Sequence, residues 1–347
     1  MSDGSRAVTV GTASTSVYLA VGAWSAVSLG ASAVLVVRLE RLGSRLGLTE
    51  AALGLVAALA ADAPEITAAV TALSSGQHEV GVGVVLGSNV FNLAALLGLS
   101  AVVAGGVMFD RRVVAVEGTV GVWLALMCLA VATGAMPSKW GLLAASVVFI
   151  PYAVVTALRP DQRARLPLPR KVRNLLLDGV GRAERELSPV THDIEAVGGA
   201  PRSGPGDGIY AVLAVAVVVY ASVQLERTVT DLGSRHGWSS AVVGAVVLAA
   251  ITSLPNAVAA LYLARRGRGA ATLSEAMNSN NINAVFGFLL PATLIGVGAP
   301  TLLSNTVAIW YAGLTVAAVA VGFMLRGIPR AAGILIIIAY AVFVTRI

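Results

Sequence analysis

The chain is short of charge, cysteine and histidine, and each shortage removes a class of function. Only 12% of its 347 residues are charged, about half the share of a soluble domain, so its surface is not that of an ordinary water-soluble protein. Its one cysteine, Cys128, lies inside an apolar run. No intrachain disulfide can form, and no thiolate metal site or redox pair is suggested. The three histidines, His78, His192 and His236, sit far apart in polar connections and suggest no metal centre. No nucleophile–base pair is placed for hydrolysis, so neither an enzyme nor a bound cofactor is expected. Gly81, Gly83 and Gly87 have the look of a dinucleotide loop but lack its strand–turn–helix setting. Close helix packing is the better reading of them.

What the chain has instead is apolar length. It is 57% hydrophobic, with a mean hydropathy of +0.83. Ten runs are long enough for a roughly 30 Å hydrocarbon core, which takes about 20 helical residues. They lie near 16–37, 48–73, 80–105, 112–134 and 139–158, then near 208–226, 238–264, 271–297, 302–325 and 329–346. Isolated strands leave backbone groups unpaired in lipid, so all ten are expected to be helices. The run Val17–Val37 is too long and too weakly flanked for a cleaved signal peptide and is expected to be retained. Between the two sets of five, residues 159–207 hold six prolines and charges of both signs. They read as a linker with one short amphipathic helix around Arg170–Leu187. The expected organisation is therefore an all-α membrane protein, with a first five-helix unit at 1–158, a linker at 159–207 and a second unit at 208–347.

A net charge of +6 invites nucleic acid as a partner, but the basic residues fall between apolar runs rather than along one face. With the N-terminus outside, 19 of the 24 Lys and Arg residues fall on the inner side, as the positive-inside rule requires. Both termini are expected outside, the linker in the cytoplasm, and the protein in a bacterial plasma membrane. The lipid bilayer and inorganic cations are its expected partners; the oligomeric state is not legible.

Polar residues inside the apolar runs carry the chemistry. Asp62, Pro64 and Glu65 lie in the second run; Ser88, Asn89 and Asn92 lie in the third. An Asp at a helix centre costs roughly 2.5–3.5 kcal/mol on insertion scales, so such groups are retained where they meet something polar. The same pattern returns 191 residues later, without a gap: Pro64-Glu65 falls on Pro255-Asn256, Asp62 on Ser253, and Ala61 on Thr252. Likewise Gly87-Ser88-Asn89 falls on Asn278-Ser279-Asn280, and Asn92 on Asn283. Because five is odd, the second unit must be inverted relative to the first, as in many secondary transporters. Each proline lacks an N–H, so the carbonyls of Ala60 and Ile251 lose their helical partners and are expected to serve a cation. Asp62 and Glu65 share a helix face. Hard cations such as Ca2+ and Na+ take oxygen ligands, and two carboxylates balance one Ca2+, two Na+ or two H+. Ser88, Asn92, Ser253, Asn256, Ser279 and Asn283 would add neutral oxygens. Glu275 aligns with Ser279 and Asn283 on one face; it either lines the ion path, where it could relay protons, or lies near the cytoplasmic end of its span and snorkels or pairs with Arg266 or Arg268. Glu117 is expected at an interface near Arg111 and Arg112.

Ile251-Thr252-Ser253-Leu254-Pro255 and Gly87-Ser88-Asn89 with Asn92 resemble the two alpha-repeats of the calcium/cation antiporter superfamily, which includes the sodium/calcium exchangers. The resemblance implies ten spans in two inverted fives, with Glu65 as the principal carboxylate ligand. It also implies that Thr252, Ser253, Ser88 and Ser279 line sodium positions. The chain departs from the pattern where Asn256 and Asn283 stand at positions that are generally or often acidic, and where Ala61-Asp62 replaces Thr-Ser. Asp62 is expected to restore the missing charge from the opposite helix. The expected function is a secondary antiporter that exports Ca2+ against Na+ or H+ by alternating access at a midplane site. The alternatives are a monovalent exchanger of the Na+/H+ type and a membrane ion sensor that does not transport.

Overall fold

The computed structural model describes residues 4–46, 56, 58–167, 169–171, 173–182 and 206–347. Apolar length makes most of its elements. The first half supplies α1 (Gly4–Arg45), α2 (Ala63–Ser74), α3 (His78–Asn92), α4 (Arg111–Ala132) and α5 (Ser138–Ala157). After the linker come α6 (Asp207–His236), α7 (Val243–Thr252), α8 (Leu254–Arg265), α9 (Gly269–Ile282), α10 (Leu302–Leu325) and α11 (Arg330–Arg346).

Six described segments are long and apolar enough to cross a bilayer alone: Ser16–Gly43, His78–Ala104, α4, α5, α6 and α10. The pair α7 and α8, bent by 53° at its break, makes a seventh. The other three runs read from the sequence fall short for physical reasons. Run 48–73 breaks at Asp62, and 47–55 and 57 lie outside the described residues. Helix α9 is crowded with Ser and Asn, which lowers its hydropathy, and α11 has 17 residues where a full core takes about 20. One short pairing joins the connections between helices. Strands β1 (Gly106–Met108) and β2 (Gly327–Pro329) pair antiparallel, with Val107 opposite Ile328. They satisfy backbone groups where the chain turns out of α3's extension and out of α10.

Burial separates centre from rim. The apolar window of His78–Ala104 is 94% buried, that of Ser16–Gly43 only 17%. Rim side chains such as Leu19, Val212 and Leu335 stand 65–70% exposed, which suits lipid and not water. On the rim α1 and α6 pair with each other: Ser28 Oγ and Ser222 Oγ lie 2.8 Å apart, and Arg38 reaches Asp207 at 2.7 Å and stacks over Tyr210. At the centre α3 and α7 touch backbone to backbone. A Cβ added at Gly87 would lie 2.4 Å from Ala245 Cα, and one at Gly244 would lie 2.4 Å from Val80 O.

The helices do not run as uniform α-helix. Leu93–Leu99, Val243–Leu248 and Asn283–Leu289 are π-helical. The first and third begin at repeat-related positions, next to Asn92 and at Asn283. A π turn re-aims the side chains beside it, and such turns gather at functional sites.

The linker is partly folded onto the helices. Residues 170–171 and 173–182 are helical; 183–187, also expected in this helix, lie outside the described residues. Two crossed ion pairs, Arg112–Asp178 and Arg182–Asp110, dock the helix on the start of α4, and Val180 is buried there. Arg163 is buried too, donating from Nε to Val155 O (2.8 Å) and from Nη2 to Thr156 O (2.7 Å). It thus satisfies carbonyls at the C-terminal end of α5.

Overpacking at the α3–α7 contact tests this arrangement. Gly87→Ala should destabilise the detergent-solubilised protein by about 1–3 kcal/mol or more, read as a lowered unfolding midpoint. Gly313→Ala, which faces open space, should leave the midpoint unchanged or slightly raised.

Candidate functional site

Pro64 and Pro255 each strip a helical turn of one hydrogen bond. The carbonyl of Ala60 finds a partner in part. It accepts the Ser32 hydroxyl of α1 at 2.7 Å in a buried contact, which leaves it one lone pair. Ser32 has no motif around it in the sequence, and only the packing of α1 against the break reveals it.

The break itself places the carboxylates. Asp62 sits at the interruption and Glu65 in the first turn of α2, and both are fully buried. Across from them stand α8 and α9. Asn256 Nδ2 donates to Asp62 Oδ1 at 2.7 Å, and Ser279 Oγ donates to the same oxygen at 2.9 Å. Ser253 Oγ donates to Glu65 Oε1 and Asn283 Nδ2 donates to Glu65 Oε2. Ser88 and Thr252 flank the Glu65 carboxyl; the Thr252 hydroxyl also donates to Leu248 O at 2.9 Å. Asn92 Nδ2 donates to Ser279 Oγ (3.1 Å) and to Asn280 Oδ1 (3.0 Å). Nine of the ten residues singled out from the sequence therefore meet in one cluster: Asp62, Glu65, Ser88, Asn92, Thr252, Ser253, Asn256, Ser279 and Asn283.

Glu275 is the exception. It is half-buried one turn before Ser279 and within electrostatic reach of Asp62. Among the described residues it makes no hydrogen bond or ion pair, so the pairing with Arg266 or Arg268 is not formed. Glu117 corrects its expectation outright. It is 4% exposed and accepts Ser274 Oγ at 2.5 Å. Arg111 turns away to the carbonyls of Phe323 and Met324, and Arg112 to Asp178. The cause is the packing of α4 against α9, which turns this face of α4 inward.

Two residues of the repeat, not among the ten, are joined across the molecule. Asn89 Nδ2 donates to Asn280 O at 3.2 Å, and Asn280 Nδ2 donates to Asn89 O at 3.1 Å. Positions 191 residues apart exchange equivalent bonds, as groups facing each other across a two-fold axis would. The 191-residue spacing was the signal that could have paired them.

The donor set suits a hard cation. Three oxygens of the cluster, Asp62 Oδ2, Asn92 Oδ1 and Asn283 Oδ1, are buried without a hydrogen-bond partner among the described residues. Buried polar oxygens call for a partner, and oxygen is what Ca2+ and Na+ bind. No cluster of three or more His, Cys, Asp or Glu occurs among the described residues, so the set is two carboxylates in a field of neutral oxygens. A cavity of 390 Å³ lies elsewhere, between the start of α3 and the start of α10, lined in part by His78, Ser240 and Thr301.

Comparison with known proteins agrees with this fold. The chain is similar to the H+/Ca2+ exchanger CAX, with a TM-score of 0.69 and 13% identity over 95% of this chain and 86% of that one. It is also similar to the sodium-calcium exchanger NCX_Mj, with a TM-score of 0.58 and 15% identity over 95% and 97% of the two chains. At those identities the likeness shows the fold. In sequence, 144 residues are 31% identical to sodium/potassium/calcium exchanger 4 of Mus musculus, a match covering 39% of this chain and 23% of that protein. The profile of the family described as Sodium/calcium exchanger protein matches residues 16–159 and 208–347, both halves and not the linker. The chain belongs to the sodium/calcium exchanger family of membrane cation exchangers.

Proposed function

We propose that the chain is a secondary antiporter that exports Ca2+ in exchange for Na+ or H+ by alternating access at one midplane site. The observation that carries this reading is the pairing of two buried carboxylates from one half of the chain with neutral donors from the other. Two carboxylates balance one divalent ion, and the same oxygens would take Na+ or H+ in its place, so competition for them couples the fluxes without ATP. Asp62 and Glu65 supply the charge. Ser88, Asn92, Thr252, Ser253, Ser279 and the side-chain oxygens of Asn256 and Asn283 supply neutral ligands, the two amides turning their oxygens inward to meet a cation. Glu275, half-buried below Ser279, lines the path to the site.

The architecture belongs to the same proposal: ten spans in two inverted fives, 1–158 and 208–347, joined by the linker 159–207. The exchanged Asn89–Asn280 bonds and the π turns beside Asn92 and Asn283 support it, since a repeat related by a two-fold axis produces both. In orientation, β1, β2, Arg326 and the docked linker helix share one end of the molecule. The sequence puts 19 of the 24 Lys and Arg residues on the linker's side, which supports a cytoplasmic linker and termini outside; a bacterial plasma membrane is the proposed setting. A second reading, monovalent exchange of the Na+/H+ type, draws on Asn256 and Asn283, because amides at those positions leave the second repeat without a carboxylate of its own in the cluster.

Everted vesicles loaded with Na+ and given radioactive Ca2+ decide between the readings. Sodium-driven uptake supports the main one; a proton signal without calcium movement supports the second; no flux of any ion overturns both. In the same assay Glu65→Gln should reduce uptake to that of vesicles lacking the protein.

The placement of charge has its own test. Asp62→Ser should lower calcium uptake at least about tenfold, the effect of losing 1.4 kcal/mol of ion binding. Adding Asn256→Glu to it moves a carboxylate to the facing helix and should recover part of the loss. Full uptake by Asp62→Ser alone would show that Asp62 carries none of the site's charge.

A further inference from the structure

One buried carboxyl group is left over by the cation cluster. Glu117 lies six residues into α4, about 9 Å along the axis from Arg111 at 1.5 Å per residue. Ser274 Oγ donates to its Oε1 at 2.5 Å, and its Oε2, buried as well, has no hydrogen-bond partner among the described residues. No cation among them reaches it. On α4, Arg111 is held by the carbonyls of Phe323 and Met324 and Arg112 by Asp178; on the linker helix Arg182 is held by Asp110. From α5 the titratable neighbour is Tyr152, whose hydroxyl donates to Asn278 Oδ1 at 2.7 Å. From α9 it is Glu275, which adjoins Ser274 and lies within electrostatic reach of Asp62; α10 brings no charged side chain. An ionised carboxylate with one hydroxyl for company is costly at this depth, and the alternative to a counter-ion is a proton.

We propose that Glu117 is a proton-binding site of the exchange cycle, separate from Asp62 and Glu65. The proposal rests on the antiport reading above. Helix α9 links the two places: Ser279, in its last turn, and Asn283, just past its end, hold Asp62 and Glu65, while Ser274 holds Glu117. In the resting form Glu117 is the neutral acid. When α9 shifts as the cation cluster loads, the Ser274 hydroxyl moves with it. The O–H bond of Glu117 then breaks, its proton passes to water at the nearby end of α4, and the carboxylate regains a proton when the helix returns. The linker helix packs closely over this end of α4, where a Cβ at Gly179 would lie 3.0 Å from Arg112 O and Val116 Cγ2.

The test uses the full chain in liposomes, with a trapped pH indicator and a calcium tracer, and counts protons per calcium ion moved. Glu117→Gln keeps the size and the Ser274 contact but holds no acid proton, so the count should fall by about one. An unchanged count, or a wild type that moves no protons, overturns the proposal. Infrared difference spectra with and without Ca2+ need no transport. The wild type should show a protonated carboxyl band that responds to Ca2+ and that Ser274→Ala shifts. A spectrum without such a band, or a band that Ser274→Ala leaves in place, also overturns it. If no calcium moves in any version, the antiport reading fails, and the infrared result still decides the state of Glu117.

Discussion

Everything in the molecule defers to the burial of Asp62 and Glu65. Two carboxyl groups with no exposure to solvent are tolerable only where donors surround them, and neighbouring residues of their own helix are too few to do it. The donors come from residues about 190 to 220 positions later in the chain. The two halves must therefore close face to face, and a fold that left them apart would strand both charges in an apolar interior.

Close approach makes that possible. Helices whose backbones touch need glycine where they cross, and Gly87 and Gly244 stand where α3 meets α7. Apolar lipid gives helices little reason to associate by burying leucine, so small residues and interhelical hydrogen bonds take over that role. The rim is built differently. There α1 and α6 pair through a serine contact and an arginine–aspartate bridge, and α1 reaches the centre through Ser32 at the proline break. A helix of the exposed rim thus touches the carbonyl freed two residues before a fully buried charge.

Much of the site was legible before any coordinates. Proline beside polar side chains, in a run apolar enough for lipid, is unusual enough that its recurrence 191 residues later identified the facing partners. What stayed hidden lacked such contrast. Ser32 is one serine in an apolar helix, and nothing local separates it from a residue that merely bonds its own turn. Glu117 looked like an interfacial acid because Arg111 and Arg112 precede it by one to two turns, but rotation about the α4 axis sends the arginines outward and the glutamate in. The π turns were invisible too, since one extra residue in a turn leaves no mark on composition.

The sequence by itself determined that the chain is apolar enough for a membrane, that a polar motif recurs 191 residues apart, and that the carboxylates of that motif lie in its first copy. These follow from hydropathy, spacing and residue type, which are properties of the chain read in one dimension. Tertiary structure alone decided which oxygen each amide and hydroxyl serves and that Ala60 is taken by Ser32. It also decided that Glu117 turns toward Ser274 rather than toward its own arginines. A hydrogen bond depends on distances of a few tenths of an ångström between atoms far apart in the chain, and those distances exist only once the helices have packed.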